Sequence, residues 1–166
     1  LLNQSLAKLL DADPQSAVLV IDSTLSMRYR GVFAAALAEA NDFMDNLGPG
    51  DEVAIVVLGE RATVLTDFTD EPAALRRALD SLTEPSFGAS SIRSGLALAD
   101  EMLAAATFEN RSITLLSDFQ ATGADGLEGS WKLAPGVAFT PIDVGVEETQ
   151  NLTVVDVRVP ATLIDG

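Results

Sequence analysis

Val18-Leu-Val-Ile-Asp-Ser-Thr-Leu-Ser-Met27 decides the fold, because an aliphatic run leads directly into a carboxylate and a set of hydroxyls. A continuous run of this kind is typical of a strand buried on both faces, as in parallel sheets. The carboxylate of Asp22 cannot sit in that core without a partner, so we expect it at the carboxyl edge of the sheet. Asp22, Thr24 and Ser26 alternate along the chain and can point the same way. Their oxygens predict an oxygen-only site for a hard cation.

The composition excludes several classes of function. The 166 residues suffice for one domain with a sizeable core, and 48% of them are hydrophobic. With 10 basic and 25 acidic residues the net charge is −15, which argues against nucleic acid and anionic membranes as partners. The chain has no Cys and no His, which removes thiol chemistry, the Ser-His-Asp triad and nearly all zinc and copper sites. Mg²⁺, Mn²⁺ and Ca²⁺ remain as candidate metals, and no apolar run approaches the roughly 20 residues of a membrane span.

Helix-like and strand-like segments alternate along the chain. The spacing of apolar residues predicts helices over 32–47 and 92–106, and another that opens with Asp70 as its cap and Pro72 in its first turn. A short antiparallel edge strand is expected at 62–65, and buried strands at 16–22, 52–58, 111–118 and 137–144. This order predicts an α/β fold of the doubly wound, Rossmann-like kind, with a mostly parallel sheet flanked by helices.

The expected domain organisation has three parts. Residues 1–15 form a lead-in helix or linker, and residues 16–146 form the α/β domain, with a short helix around 127–133. Residues 147–166 add a strand at 151–159, which is expected to begin a truncated β-rich domain.

Three loops at the carboxyl edge of the predicted sheet carry oxygen ligands. They contain Asp22, Thr24 and Ser26 in the first loop, Ser90 in the second and Asp118 in the third. In these loops the sequence resembles the von Willebrand factor type A (VWA) domain family. That family carries a metal-ion-dependent adhesion site made of Asp-x-Ser-x-Ser, a Thr in a later Gly-rich loop and an Asp after a later strand. The resemblance extends over roughly residues 16–145.

The resemblance implies a non-enzymatic protein-interaction module without catalytic residues. Mg²⁺ or Mn²⁺ would be bound by Asp22, Thr24, Ser26, Ser90 and Asp118, and a carboxylate from a partner protein would complete the coordination shell. The cation needs about six oxygens, and few formal charges from the protein leave it electrophilic.

Four departures from the family pattern support an alternative, a VWA scaffold with a degenerate site that binds no metal. Thr24 replaces the middle Ser, and Leu25 stands where Gly is common. Ser90 replaces Thr, and Phe119 follows Asp118 where Gly is usual. Thr24 and Ser90 keep a hydroxyl that can still bind a metal, whereas Phe119 puts bulk beside the site.

A third, less favoured hypothesis is Mg²⁺-dependent aspartyl phosphotransfer with Asp22 as the nucleophile. The phosphatases of this kind need Asp-x-Asp, but position 24 is Thr. The receivers of this kind need a Lys on a late strand, but Lys occurs only at Lys8 and Lys132.

Simpler structural roles compete with each site residue. Asp22 and Asp118 can cap helices, and Ser90 or Ser91 can be the N-cap of the following helix. The residues of the stretch 28–30, Arg-Tyr-Arg, are expected to be solvated first-turn residues, with a ligand-facing rim as the alternative.

A finer resemblance concerns the protein that contains the domain. The Leu-rich start and the strand-like run at 151–159 resemble the bacterial Bat-type aerotolerance proteins. That likeness implies a soluble domain of a membrane-anchored protein, on the periplasmic or extracytoplasmic side. Any membrane contact would be made through segments outside this chain.

Overall fold

The computed structural model of the protein describes residues 13–88, 91–120 and 132–145. A five-stranded sheet in the order β3-β2-β1-β4-β5 forms the centre, and three helices pack on its two faces. All neighbouring strands are parallel except β2 and β3, so β3 is an antiparallel edge strand. The predicted fold class is therefore confirmed. The elements are β1 (Ser16–Asp22), a 3₁₀ turn (Leu25–Arg28), α1 (Val32–Asp45), β2 (Glu52–Leu58), β3 (Ala62–Thr69), α2 (Pro72–Asp80), α3 (Ile92–Ala104), β4 (Arg111–Ser117) and β5 (Val137–Asp143).

Several element boundaries differ from the prediction. Helices α1 and α3 each end two residues earlier than predicted, and β4 and β5 each end one residue earlier. The edge strand β3 continues to Thr69 rather than ending near residue 65, because its later residues still pair with β2 across a register shift. Helix α2 has Glu71 as its N-cap rather than Asp70, and no side chain caps it. Instead, the Glu71 N–H donates to Thr69 Oγ1 at 3.1 Å, so the end of β3 supplies the hydroxyl at this turn.

Several predicted segments fall wholly or mainly outside the described residues. They are the lead-in helix within 1–15, the short helix around 127–133 and the strand at 151–159. Within the described ranges, no helix combines the length and apolar character needed to span a bilayer.

Every residue of β1 is buried, because helices cover both of its faces. Alternate side chains of a strand point to opposite faces of a sheet. Leu19 and Ile21 pack in the core cluster beneath α1 and α2, whereas Val18 and Val20 pack in the one beneath α3. The uninterrupted aliphatic run of β1 is explained by this two-sided burial.

The direction of chain travel reverses between β1 and β4, which are neighbours in the sheet. From β1 the chain moves towards β2, whereas from β4 it moves to β5 on the other side. Open α/β sheets bind ligands at such a switch point, outside the carboxyl ends of the strands. Asp22 is the last residue of β1 and Asp118 directly follows β4, so both carboxylates lie at this position.

We predict that Gly95→Ala destabilises the domain by about 1 kcal/mol. Ala favours a helix over Gly by about 1 kcal/mol, but here overpacking costs about 1–3 kcal/mol. The added methyl group would overlap the Leu58 side chain and approach Val20 Cγ1 to 3.2 Å, and both of these residues are fully buried. Urea unfolding of the single variants Gly95→Ala and Leu58→Val and of the double variant tests this. The double variant should lose less than the sum of the two, and a Gly95→Ala protein more stable than wild type would contradict the prediction.

Candidate metal centre

Asp22 is held by three hydrogen bonds at the end of β1. Its Oδ1 accepts from the Thr24 backbone N–H at 2.9 Å and from the Thr24 hydroxyl at 2.7 Å, and its Oδ2 accepts from the Ser117 hydroxyl at 2.6 Å. All three residues are buried. A carboxylate has about four acceptor positions, so Asp22 has one left.

Thr24, Ser26 and Asp118 continue the chain of oxygen atoms across the sheet edge. Thr24 Oγ1 lies 3.3 Å from Ser26 Oγ, and the Ser26 hydroxyl donates to Asp118 Oδ1 at 3.1 Å. Each hydroxyl has one proton. With both carboxylates ionised, the two hydroxyl protons can serve only two of the three contacts in this chain of oxygen atoms.

The second oxygen of Asp118 also lacks a partner. Asp118 Oδ1 accepts from Ser26 and, at 3.3 Å, from the Gln120 N–H. Asp118 Oδ2 is buried and makes no hydrogen bond within the part of the chain that the structure describes. A buried unpaired carboxylate oxygen is costly unless a charge or a donor compensates it.

These residues fit a Mg²⁺ or Mn²⁺ ion. Adjacent ligands of octahedral Mg²⁺ lie about 3 Å apart. The contacts from Thr24 to Ser26 and from Ser26 to Asp118, at 3.3 and 3.1 Å, are close to that spacing. Among the described residues no group of three or more His, Cys, Asp or Glu could hold a metal ion. A metal at this edge would therefore depend on the hydroxyls as much as on Asp22 and Asp118.

The environment opposes a negative charge on Asp118. Burial is the main cause that raises the pKa of Asp118, and the negative charges of Asp22 and Asp143 raise it further. The hydrogen bonds from Gln120 and Ser26 act in the opposite direction but do not cancel the effect. A cation next to Asp118 would remove the conflict, because it favours the ionised form.

Ser90 lies outside the described residues, as does Ala89, but Gly88 and Ser91 on either side of this gap are described. The Leu25 N–H donates to the Gly88 carbonyl at 3.1 Å, which ties the preceding loop to the 3₁₀ turn. A side chain at Gly88 would overlap the Glu60 backbone, so only Gly permits this approach. After the gap, Ser91 is the N-cap of α3 and its Oγ accepts from the Ser94 N–H at 3.2 Å. The expected capping role is thus found at Ser91.

Arg28 is exposed, as expected of a solvated residue, but it also makes specific contacts. Its Nη1 donates to the Pro85 carbonyl at 2.7 Å, and its Nη2 lies 3.3 Å from Glu84 Oε2. Its guanidinium also lies 4.2 Å from the centroid of the Phe87 ring. Sequence spacing could not reveal these contacts, because they join residues more than 50 positions apart. Arg28 therefore fixes the loop before α3 to the turn that carries Thr24 and Ser26.

Phe119 adopts a backbone conformation that favours glycine. Its φ is +46°, which costs a side-chain-bearing residue about 1 kcal/mol or more. Its N–H donates to Ser117 Oγ at 3.1 Å, and its side chain packs against the core cluster beneath α3. These contacts offset the backbone strain. The Phe119 side chain, which was expected to lie beside the site, packs in part against the core.

Ser117 is the site residue that the sequence reasoning missed. Its hydroxyl donates to Asp22 and accepts from the Phe119 N–H, so it links the ends of β1 and β4. The feature that could have revealed Ser117 is the register between β1 and β4. Ile21 pairs with Leu116 in parallel strands, so the next residues, Asp22 and Ser117, face each other.

Comparison with known proteins identifies the family. A family model described as the von Willebrand factor type A domain matches residues 17–120, which is more than half of the chain. The chain belongs to the VWA domain family. Members of this family are typically protein-interaction modules. No curated protein sequence matches the chain.

Three solved structures illustrate the likeness. The vWF domain of the type V pili tip protein Mfa5 from Porphyromonas gingivalis is 28% identical, with a TM-score of 0.53 over 63% of this chain and 38% of that one. A VWA protein from Catenulispora acidiphila is 22% identical, with a TM-score of 0.55 over 62% and 26%. Proximal thread matrix protein 1 from the mussel byssus, whose metal-ion-dependent adhesion site holds zinc, is 21% identical, with a TM-score of 0.55 over 63% and 28%. The chain thus spans less than two-fifths of the length of each of these relatives.

We predict that Asp118→Asn stabilises the metal-free domain at neutral pH. A raised pKa means that the contribution of this carboxyl group to stability is fully present below its unfolded pKa, and that it is lost as the pH rises through its folded pKa. Removing the charge should therefore increase the free energy of unfolding at pH 7 by up to about 1 kcal/mol, because solvent screens part of the effect.

Urea unfolding in EDTA at pH 7 and at pH 4 measures this difference. The difference should shrink at pH 4, because the raised pKa of Asp118 favours its protonated form as the pH falls. The control is Asp67→Asn, an exposed residue of β3, which should show no such gain. A less stable Asp118→Asn protein at pH 7 would contradict the prediction.

Proposed function

We propose that the domain binds a protein partner through a Mg²⁺ or Mn²⁺ ion held by Asp22, Thr24, Ser26, Ser90 and Asp118. One observation carries the proposal. The Asp22–Thr24–Ser26–Asp118 chain has three oxygen–oxygen contacts but only two hydroxyl protons. It ends at a buried carboxylate oxygen to which no described residue donates a hydrogen bond. A cation between the hydroxyls and Asp118 supplies what that arrangement lacks.

The lone pairs that each residue has free determine whether it would bind the cation directly or through water. Thr24 and Ser26 donate their protons to carboxylates, so their lone pairs are available as direct ligands. Asp118 has a whole oxygen available. Asp22 has one acceptor position left, so it acts through water and by orienting the Thr24 hydroxyl. Ser90 is proposed as a further hydroxyl ligand on the strength of its place in the motif.

The ion would supply an electrophilic centre for a carboxylate of the partner. The two carboxylates of the site equal the charge of the cation in formal count. The three hydrogen bonds that Asp22 accepts reduce the negative charge it offers the cation, which therefore stays electrophilic. Mg²⁺ keeps several exchangeable water positions, and an acidic side chain can take one of them. The proposed partner is therefore a protein segment that presents an acidic residue, and the proposed role is adhesion or assembly rather than catalysis.

The placement of the domain in a longer, membrane-anchored bacterial protein is a further part of the proposal. It rests on the resemblance of residues 1–10 and 151–159 to Bat-type proteins. The domain limits at 16–146 rest on the predicted elements and on the extent of the VWA resemblance. Fractionation of source cells with an antibody to this domain tests it. The domain should appear in the membrane fraction and be accessible to protease from the extracytoplasmic side.

We predict that titration calorimetry with Mg²⁺ or Mn²⁺ gives one site of millimolar or tighter affinity in the wild type. Asp118→Asn should weaken binding by more than about tenfold, because it removes the open carboxylate oxygen. The same variant should be the more stable protein in EDTA, so loss of metal binding cannot be attributed to unfolding. The exposed control Asp67→Asn should bind as the wild type does.

Absence of both metal-dependent heat and a thermal shift in the wild type would favour the metal-free scaffold instead. Turnover of para-nitrophenyl phosphate, or labelling of Asp22 by acetyl phosphate in Mg²⁺, would favour phosphotransfer and overturn the adhesion proposal.

We predict that Ser90→Thr preserves metal affinity and that Ser90→Ala weakens it several-fold. Thr keeps the hydroxyl oxygen that would ligate the cation, whereas Ala removes it. Ser91→Ala is the matched control, since it removes a hydroxyl from the next position. It should lower helix stability by about 1 kcal/mol through loss of the N-cap while leaving metal affinity unchanged. Equal metal affinities of wild type and Ser90→Ala would remove Ser90 from the proposed ligand set.

A further inference from the structure

Large apolar side chains are exposed next to the proposed metal ligands. Leu25 stands between Thr24 and Ser26 in the sequence and is 53% exposed. Phe87 lies in the loop before α3 and is 76% exposed, the highest value for a large hydrophobic residue in the described part of the chain. Single exposed apolar residues are ordinary, but aromatic and aliphatic groups grouped at a binding site indicate an interaction surface.

The two side chains belong to one locally fixed surface. The Leu25 N–H donates to the carbonyl of Gly88, the residue directly after Phe87. On the other side of Phe87, Arg28 binds the Pro85 carbonyl and places its guanidinium over the phenyl ring. These contacts therefore hold together the two segments that carry Leu25 and Phe87.

The charge of the protein limits what can bind there. With 25 acidic and 10 basic residues, the chain repels segments that carry many carboxylates. Attraction to the cation outweighs this repulsion for a single carboxylate. Further acidic residues around it would be repelled without such compensation. Additional affinity must then come from contacts that need no charge, and Leu25 and Phe87 offer such contacts.

We infer that Leu25 and Phe87 form an apolar rim beside the metal site, and that the partner segment presents one carboxylate flanked by apolar side chains and few other acidic residues. This inference rests on the proposed function and specifies its partner. The carboxylate completes the coordination shell while the flanking side chains cover Leu25 and the exposed part of the Phe87 ring.

Three capped synthetic peptides test the rim, measured by fluorescence polarisation at saturating Mg²⁺. The first has one aspartate between two leucines, the second has one aspartate between two serines, and the third adds two further aspartates to the first. The wild type should bind the leucine peptide about tenfold more tightly than the serine peptide, since each leucine buries apolar surface. It should bind the third peptide more weakly than the first, and EDTA should abolish binding of all three.

Matched variants separate the rim from the metal site. The double variant Leu25→Ser, Phe87→Ser should bind the leucine and serine peptides about equally. Its calorimetric Mg²⁺ affinity should stay within about twofold of the wild-type value. Val64→Ser with Phe139→Ser removes two comparably sized exposed side chains, 40% and 38% exposed, from the strands β3 and β5, and should keep the preference. Phe87→Tyr keeps the ring and should keep it as well.

The outcomes distinguish the two proposals. If the wild type binds Mg²⁺ but binds the leucine and serine peptides equally, or binds neither, the rim is overturned and the metal site stands. If the acid-rich peptide binds as tightly as the first, the charge argument is overturned. If the wild type binds no Mg²⁺ or Mn²⁺, the proposed function fails and the rim with it.

Discussion

The structure depends on how a carboxylate is satisfied at the end of a strand that is buried on both faces. β1 has no exposed side, so Asp22 must find its donors within the sheet edge itself. It finds them in the following turn, through Thr24, and in the neighbouring strand, through Ser117. These bonds set the direction of the 3₁₀ turn relative to β4. The Thr24 and Ser26 hydroxyls then reach Asp118 because the turn is held in that direction.

The site therefore has two carboxylates in different states. Asp22 accepts three hydrogen bonds and serves as an anchor. Asp118 has one oxygen without a donor among the described residues, and its pKa is raised chiefly by burial. A fully satisfied pair would be more stable but would leave nothing for a ligand. The arrangement is typical of a functional site, where local stability is lower than the surrounding fold allows.

Periodicity and strand-end logic were sufficient for the features that depend on local sequence. The aliphatic run of β1, the amphipathic spacing of α1 and α3, and the position of Asp22 and Asp118 at one sheet edge all follow from side-chain pattern alone. Contacts across long sequence separations were beyond that reasoning. Ser117 required the β1–β4 register, and the role of Arg28 required the position of the Pro85 carbonyl. The end of β3 and the cap of α2 were misplaced because pairing with β2 and the Thr69 hydroxyl outweighed local propensity.

The wide sequence separation of the site residues has a consequence for the order of folding. Ser117 is 95 positions from Asp22, and Asp118 is 92 positions from Ser26. Pairs this distant form only after a large loop has closed, and such contacts are characteristic of slow-folding topologies. The four oxygens therefore converge only once β4 has aligned beside β1. Cation binding should thus begin late in folding, and in a refolding experiment its time course would follow the docking of these two strands rather than the appearance of the helices.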